Sequence, residues 1–126
     1  MASAKYSPEQ FHGVWIFTEW SIEYEDSSVT YPMGQDATGQ IIYLEDGTVT
    51  VTIINTERVF NYVATWSLED ENVIHDINAS FNGKAGTQSV RKVDFNGDNK
   101  LTLSVYEPMK NGQKRQHFLR WEKHPA

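Results

Sequence analysis

Two side chains in the second half of the chain, His75 and Arg91, are the strongest candidates for chemistry. In the run Val73 to Ile77, His75 alternates with polar positions and shares its face with apolar residues, as the two-residue period of a β-strand requires. An imidazole in an apolar cavity can act as a general acid or base near neutral pH. The alternative is a buried histidine bonded to a neighbouring tyrosine or to a backbone carbonyl.

Arg91 shares a strand face with Ser89, Val93 and Phe95, which favours an inward position. A buried guanidinium needs an interior carboxylate or an anionic ligand, such as an enolate, a carboxylate or a phenolate. Three interpretations stay open: contact with a ligand or transition state, a structural ion pair, and a surface position. If the strands of His75 and Arg91 are neighbours, the cation favours the neutral imidazole that a general base needs.

Glu19 is an acid in an otherwise aromatic strand and, by simple alternation, shares a face with Trp15 and Phe17. A carboxylate among aromatic rings has a raised pKa and can shuttle protons. The alternative is a salt bridge, to Arg91 or to Arg120. With His75, Arg91 and Tyr43, Glu19 completes our set of candidate catalytic residues.

Tyr43 lies on the face of Ile41, and its phenol can donate a proton or hydrogen-bond a carbonyl group. Core packing with a satisfied hydroxyl is the alternative for this residue and for Tyr62. Aromatic residues make up 13% of the chain, enough to fill a core or to line a cavity. We expect the ligand-binding wall to include Trp20, Tyr62, Trp66 and Phe95.

Composition excludes several classes of function. A net charge of -6 argues against nucleic-acid binding, and the lack of cysteine excludes disulfides and thiolate sites. The histidines, at positions 12, 75, 117 and 124, have no metal-binding spacing, and there is no glycine-rich phosphate loop, so we expect neither metal nor cofactor. With no long apolar run and no signal-like stretch in residues 1–10, we expect a cytoplasmic protein that does not bind membranes.

The pattern of elements is almost entirely β. A short helix is predicted from Ser7 to His12, with Ser7 as N-cap, Pro8 at the first position and Gly13 as its end. Strands separated by turn residues then follow to the end of the chain. Their predicted ranges are Val14–Glu25, Gln40–Leu44, Thr48–Asn55, Val59–Leu68, Val73–Phe81, Thr87–Phe95, Lys100–Tyr106 and Arg115–Glu122.

Eight or nine consecutive strands with short turns, such as Asp46-Gly47, leave no segment for a parallel crossover. An antiparallel meander of this length has unpaired edges unless it closes on itself. We therefore predict an all-β fold, a closed antiparallel up-and-down barrel of eight to nine strands with a short N-terminal helix. Residues 1–126 are expected to form a single domain, and a barrel of this size can hold one small ligand. A homodimer is kept open.

An ordered set of short motifs points to a known family. The chain resembles the lipocalin-like domain family of small bacterial and fungal proteins, over roughly residues 11–123. The residues that carry the resemblance are Gly13-Val14-Trp15, Tyr31-Pro32-Met33-Gly34, Gly39-Gln40-Ile41-Ile42-Tyr43, Asp46-Gly47, Val73-Ile74-His75, the segment Gln88 to Arg91, Leu101-Thr102-Leu103-Ser104 and Leu119-Arg120-Trp121.

The resemblance implies a barrel with an internal pocket, in which Trp15 closes one end and a basic residue of the last strand, Arg120 by position, packs over it. It leaves function open, since related barrels serve as carriers and as enzymes. We expect a cofactor-free enzyme of the isomerase, cyclase or lyase/hydratase type, acting on a small lipophilic or aromatic secondary metabolite. The alternative is a non-catalytic binding or carrier protein for a small hydrophobic ligand, and a structural barrel with a filled interior is a third class.

Overall fold

A computed structural model describes residues 4–125. One short 3-10 turn, Pro8–Gln10, precedes nine strands. Within residues 4–125, no helix has the length and apolar character needed to cross a bilayer. The strands are β1 (Gly13–Tyr24), β2 (Val29–Thr30), β3 (Thr38–Tyr43), β4 (Thr48–Ile54), β5 (Val59–Glu69), β6 (Asn72–Ser80), β7 (Gln88–Asn96), β8 (Lys100–Pro108) and β9 (Lys114–Lys123).

The strands form one closed antiparallel barrel. Each of β3 to β8 pairs with the next strand along the chain, β1 pairs with both β3 and β9, and the two-residue β2 adds to the end of β1. The predicted barrel is confirmed, with eight wall strands whose ends agree with the sequence ranges to within about two residues. The predicted helix is only the 3-10 turn, because the chain enters the barrel wall directly at Gly13, at a positive φ of 115°.

One end of the barrel is closed by the segment before β1. The Phe11 ring is fully buried against Tyr43, Trp66 and Phe95, with ring centroids 5.2 to 5.5 Å apart. The Trp15 indole N–H donates to the Phe11 carbonyl at 2.8 Å, which fixes the segment to the wall. These five residues are called the closed-end cluster below.

The basic residue over Trp15 is Lys123, and the assignment to Arg120 is wrong. Lys123 pairs directly with Trp15 across β1 and β9, its ammonium lies 4.6 Å from the indole ring centre, and it donates to the His12 carbonyl. Arg120 lies three residues earlier, on the outer wall, where its guanidinium packs over the Phe118 ring. The interaction is a cation–π contact as expected, but the strand register selects a different cation.

A β-bulge in β1 changes which residues face the lumen. The register against β9 shifts between Phe17 and Glu19, so Thr18 has no partner in the ladder. An extra residue reverses the alternation of side chains beyond it. Trp20, and not Glu19, therefore faces inward after the bulge. Glu19 binds Arg120 on the outer wall at 2.9 Å, so its predicted place in the lumen is wrong and the salt-bridge alternative is confirmed.

The opposite end of the barrel, called the mouth, is bordered by the loops that follow β2, β4, β6 and β8. In the loop after β2, Met33 is buried, and its carbonyl accepts a hydrogen bond from the Asn55 side chain at 2.8 Å. Arg58 donates to the neighbouring Pro32 carbonyl at 3.2 Å. The β2–β3 loop is thus tied to the β4–β5 turn and partly covers the mouth.

The buried plug at the closed end predicts a large loss of stability when it is truncated. Phe11→Ala removes a fully buried ring and leaves a cavity, so we expect the free energy of unfolding to fall by about 3–5 kcal/mol. Phe81→Ala is the matched control, because that ring is 76% exposed. Chemical denaturation followed by tryptophan fluorescence measures both, and equal losses in the two variants would contradict the plug.

Candidate functional site

The lumen holds a small cavity at mid-height with a mixed lining. Apolar side chains from β3, β4, β8 and β9 form most of its wall, and Trp20 and Phe60 lie on its mouth side. Its polar lining comes from Tyr62, His75, Ser89, Arg91 and Trp121. The cavity volume is about 40 Å³, close to the roughly 30 Å³ that one water molecule occupies in the liquid. It has room for one small polar group, and a whole ligand needs more.

His75 is held between two tyrosines at the centre of the lumen. The Tyr43 hydroxyl oxygen lies 2.8 Å from its Nε2, and the Tyr62 hydroxyl oxygen lies 2.6 Å from its Nδ1. Strands β3, β5 and β6 thus each supply one member of a hydrogen-bonded Tyr43–His75–Tyr62 chain. The inward position of His75 predicted from alternation is confirmed, and the side chain is 1% exposed.

Burial sets the protonation state of this chain. It lowers the pKa of His75 to about 3, with Arg91 adding to the effect, so the imidazole is neutral at pH 7. Burial also raises the pKa of Tyr62 to about 12 and that of Tyr43 well above its usual value, so both phenols keep their protons. A neutral imidazole has one donor and one acceptor nitrogen, so one tyrosine donates to it and the other accepts from it.

We assign the direction of the chain from the surroundings of the two phenols. Tyr43 is 1% exposed among the closed-end rings and has no other hydrogen-bond partner within residues 4–125. If Tyr43 accepted from His75, its own proton would be buried without an acceptor, which costs about 1–3 kcal/mol. Tyr43 therefore donates to Nε2, and Nδ1–H donates to Tyr62. The Tyr62 proton then points away from His75, toward the cavity that Tyr62 lines, where Ser89 is a further hydrogen-bond partner of the phenol.

Arg91 brings a cation without a carboxylate partner to the same cavity. The side chain is half-buried and forms no ion pair within residues 4–125, and its one side-chain hydrogen bond goes to the Val90 carbonyl at 3.3 Å. Burial lowers its pKa from the usual value. The lumenal position is confirmed, while the structural ion pair and the surface position are not found. Arg91 on β7 lies opposite Val73 on β6, next to the pair formed by His75 and Ser89. The strands of His75 and Arg91 are therefore neighbours, as the sequence predicted.

The indole of Trp121 adds a further unused donor. Trp121 lines the cavity and is 2% exposed. Its indole N–H is buried and has no hydrogen-bond partner within the described residues. Together with Arg91 and the Tyr62 hydroxyl it makes the cavity rich in donors, and no carboxylate side chain lines it.

An aromatic pair, Trp20 and Phe60, closes the cavity on its mouth side. Their ring centroids are 5.3 Å apart, and the Trp20 indole donates to Nδ1 of His117 at 3.2 Å. His117 in turn bonds Glu107 at 2.9 Å, and Arg115 binds the same carboxylate oxygen. These two bonds lower the pKa of Glu107. The Glu107 carboxylate thus already has His117 and Arg115 as partners at the mouth.

The structure separates the predicted site residues into two groups. The cavity is lined by His75, Arg91, Tyr62 and Trp20. Tyr43 is hydrogen-bonded to His75 but is not part of the cavity lining. Glu19 is on the outer wall. Trp66 and Phe95, predicted as cavity wall, pack instead in the closed-end cluster, because they lie at the closed ends of β5 and β7, beyond the polar residues.

Seven cavity residues were missing from the predicted site: Ile41, Val51, Phe60, Ser89, Leu103, Leu119 and Trp121. Alternation could have found several of them, since Ile41 shares the face of Tyr43, Phe60 that of Tyr62, and Ser89 that of Arg91. The role of His117 as a partner of Trp20 was also missed. It depends on the strand register across the β1 bulge, which no local pattern shows.

A closed eight-stranded antiparallel barrel with one plugged end is a lipocalin-like fold. The model of a family described as "Lipocalin-like domain" matches residues 12–67, which confirms the resemblance over that stretch. No curated protein sequence matches the chain.

Solved structures of bovine odorant binding protein share the fold. A complex with a selenium-containing odorant superposes with a TM-score of 0.52 at 14% identity, covering 100% of this chain and 78% of that one. A complex with the natural ligand gives a TM-score of 0.51 at 14% identity, covering 100% and 79% of the two chains. A deswapped triple mutant gives 0.50 at 14% identity, covering 93% and 76%. At this identity the likeness concerns the fold alone.

The neutral state of His75 predicts a dependence of stability on pH. The pKa of His75 is about 3 in the folded protein, against an ordinary value of 6.5. Below pH 6.5 the unfolded chain therefore binds a proton at His75 that the folded chain does not bind. The stabilisation is complete above pH 6.5 and is lost as the pH falls toward 3. Between pH 7 and 4.5 we expect His75 to account for a loss of about 2–3 kcal/mol in the free energy of unfolding.

His75→Gln tests this, because an amide can replace the bonds to both tyrosines without titrating. Urea unfolding at the two pH values measures the loss in the wild type and in the variant. The exposed His124, changed to Gln, serves as the matched control and should keep the wild-type dependence. The same pH dependence in His75→Gln as in the wild type would show that His75 does not titrate as assigned.

Proposed function

We propose that the protein binds a small, mainly apolar ligand in its barrel and holds an acidic oxygen of that ligand, such as a carboxylate or enolate, against Arg91. The observation that carries the proposal is the lumenal guanidinium without an ion-pair partner in residues 4–125. A half-buried cation that lines a mainly apolar cavity is stabilised when an anion joins it, and the bidentate geometry of a guanidinium suits a carboxylate.

The other lining groups support an acceptor oxygen at this place. The Tyr62 hydroxyl turns its proton toward the cavity beside Ser89, and the Trp121 indole nitrogen has no partner in the described chain. Both are donors, so the cavity favours a ligand group with an acceptor oxygen over one without. The Glu107 carboxylate, whose charge acts on Arg91, is already bonded to His117 and Arg115. Among the described residues, no carboxylate side chain lines the cavity, so none competes there with a ligand oxygen for Arg91.

The likeness to bovine odorant binding protein, whose structures contain a selenium-containing odorant or a natural ligand, agrees with a barrel that holds a small molecule. The apolar remainder of the cavity wall, from Ile41, Val51, Leu103 and Leu119, suits an apolar ligand body next to its acidic group. Binding without turnover is therefore the primary function that we propose.

Catalysis without a cofactor, of the isomerase, cyclase or lyase type, is the second candidate function. The observation that favours it is the Tyr43–His75–Tyr62 chain, which ends at the cavity. In such a reaction the Tyr62 hydroxyl donates a hydrogen bond to a substrate carbonyl oxygen, and Arg91 stabilises the negative charge that develops on that oxygen in the transition state. His75 stays neutral, because burial opposes its protonated form, and its Nδ1–H supports the Tyr62 hydroxyl oxygen.

Ligand charge separates the primary proposal from a purely apolar pocket. The probes are 4-phenylbutyrate and its uncharged counterpart 4-phenylbutanol, measured by isothermal titration calorimetry. We expect the wild type to prefer the acid by at least about tenfold, the size of one charge-assisted hydrogen bond of 1.5–3 kcal/mol. Arg91→Met should abolish the preference and Arg91→Lys should keep part of it.

Arg120→Met is the matched control, since that arginine lies on the outer wall and is paired with Glu19. It should bind both probes as the wild type does. A preference for the acid that survives in Arg91→Met would contradict the proposal, as would equal affinity of the wild type for both probes.

The catalytic candidate is tested on whichever ligand is found to bind. If turnover occurs, Tyr62→Phe removes the donated hydrogen bond and should lower the rate by at least about tenfold while changing ligand affinity little. His75→Ala and Arg91→Ala are each expected to lower turnover by at least about tenfold in the same assay. Recovery of the ligand unchanged after long incubation would leave binding as the sole function.

A further inference from the structure

A second, larger cavity lies at the mouth of the barrel. It has a volume of about 420 Å³, within the range of about 300–1,000 Å³ that small-molecule sites occupy. Its wall is mainly apolar, and Glu57, Arg58 and Asn82 form its polar rim. The apolar wall consists of Trp20, Pro32, Met33, Val59, Phe60 and Phe81. We call this space the outer chamber and the 40 Å³ cavity at Arg91 the inner chamber.

The rings of Trp20 and Phe60 form a partition between the two chambers. Trp20 and Phe60 line both of them. Trp20 comes from β1 and Phe60 from β5, and these strands are separated in the barrel by β3 and β4. The contact of their rings, 5.3 Å apart, therefore reaches across the lumen. Removing or turning one ring would join the inner chamber to the outer one.

The partition is held unequally on its two sides. The Trp20 indole is fixed by its hydrogen bond to His117. The Phe60 side chain has no polar atom and is held by apolar packing, which includes the Trp20 ring at 5.3 Å and the Tyr62 ring at 5.9 Å. Rotation of Phe60 breaks no hydrogen bond of its side chain, so Phe60 is the movable half of the partition.

The sizes of the chambers determine what can occupy them. The inner chamber has room for a group about the size of one water molecule, which suits a carboxylate or a single enolate oxygen and excludes a ligand body. The outer chamber has the volume and the apolar wall for that body. Phe81, which is 76% exposed, becomes covered when an apolar body fills the space beside it.

We infer that the protein takes acid-ended amphiphiles in one orientation, with the acidic group at Arg91 in the inner chamber, the chain passing between Trp20 and Phe60, and the apolar body in the outer chamber. This rests on the proposed function, because it uses Arg91 as the anion site. It adds the ligand class, a molecule of acyl-chain or aryl-alkyl shape with a single acidic end, and the second subsite at the mouth.

Chain length is the variable that tests the outer chamber. Straight-chain carboxylates from butyrate to dodecanoate are titrated below their micellar concentrations by calorimetry. Once the chain passes the partition, each further methylene buried in the outer chamber should raise the affinity about fourfold, the equivalent of about 0.8 kcal/mol per CH₂. The shortest acids, which reach no farther than the partition, should bind weakly.

Three variants locate the effect. Phe81→Ala removes part of the outer wall and should reduce the gain in affinity for the long acids while leaving the short acids unchanged. Tyr106→Ala is its matched control, because this ring is 64% exposed and lines neither chamber. Phe60→Ala opens the partition and should speed both association and dissociation of the long acids in stopped-flow fluorescence.

The outcomes separate this inference from the proposed function. Affinity that rises with chain length, falls in Phe81→Ala and requires Arg91 supports both. Acids that bind through Arg91 with no dependence on length overturn the outer subsite and leave the anion site standing. A length dependence that Arg91→Met does not change overturns the acid-inward orientation together with the proposed function. Failure of every acid to bind overturns both.

Discussion

The site depends on the burial of a neutral imidazole between two phenols. His75 can lie in the lumen because Tyr43 and Tyr62 satisfy both of its ring nitrogens. A half-satisfied group at this depth would destabilise the barrel. With all three groups bonded to one another, the hydroxyl that the chain presents to the cavity is that of Tyr62, beside Ser89. Arg91 is the contrast, since no side chain within residues 4–125 forms an ion pair with it. The proposed preference for an acidic ligand rests on this difference between a satisfied chain and an unpaired cation.

The two ends of the barrel differ in the way they are filled, and this difference gives the site its direction. At the closed end, Phe11 and the rings around it leave no passage, and Lys123 covers Trp15 from outside. At the mouth, the contact between Trp20 and Phe60 is a single layer of rings, with an apolar space beyond it. The mouth is therefore the side from which the barrel is less firmly filled, and the proposed ligand orientation follows from that difference.

Much of the fold could be predicted from the sequence, because alternation and turn residues are local. The strands and the closed barrel follow from them, as do the inward positions of His75 and Arg91. Alternation gives the face of a residue and says nothing about its height along the barrel. Trp66 and Phe95 face inward as expected, yet they lie too near the closed end to reach the cavity. Height, register and bulges depend on pairing between distant strands.

The Thr18 bulge couples the pairing of β1 to the charge of the lumen. Phe17 and Glu19 pair with the consecutive residues Trp121 and Arg120, so the bulge takes up the one residue by which β1 exceeds its partner strand there. Deletion of Thr18 would therefore leave a regular β1 with Glu19 still outside and Trp20 still inside. If Thr18 paired regularly instead, strand alternation would turn the Glu19 carboxylate toward the interior and the Trp20 ring toward solvent. One unpaired residue thus keeps a carboxylate out of the lumen and an indole in it.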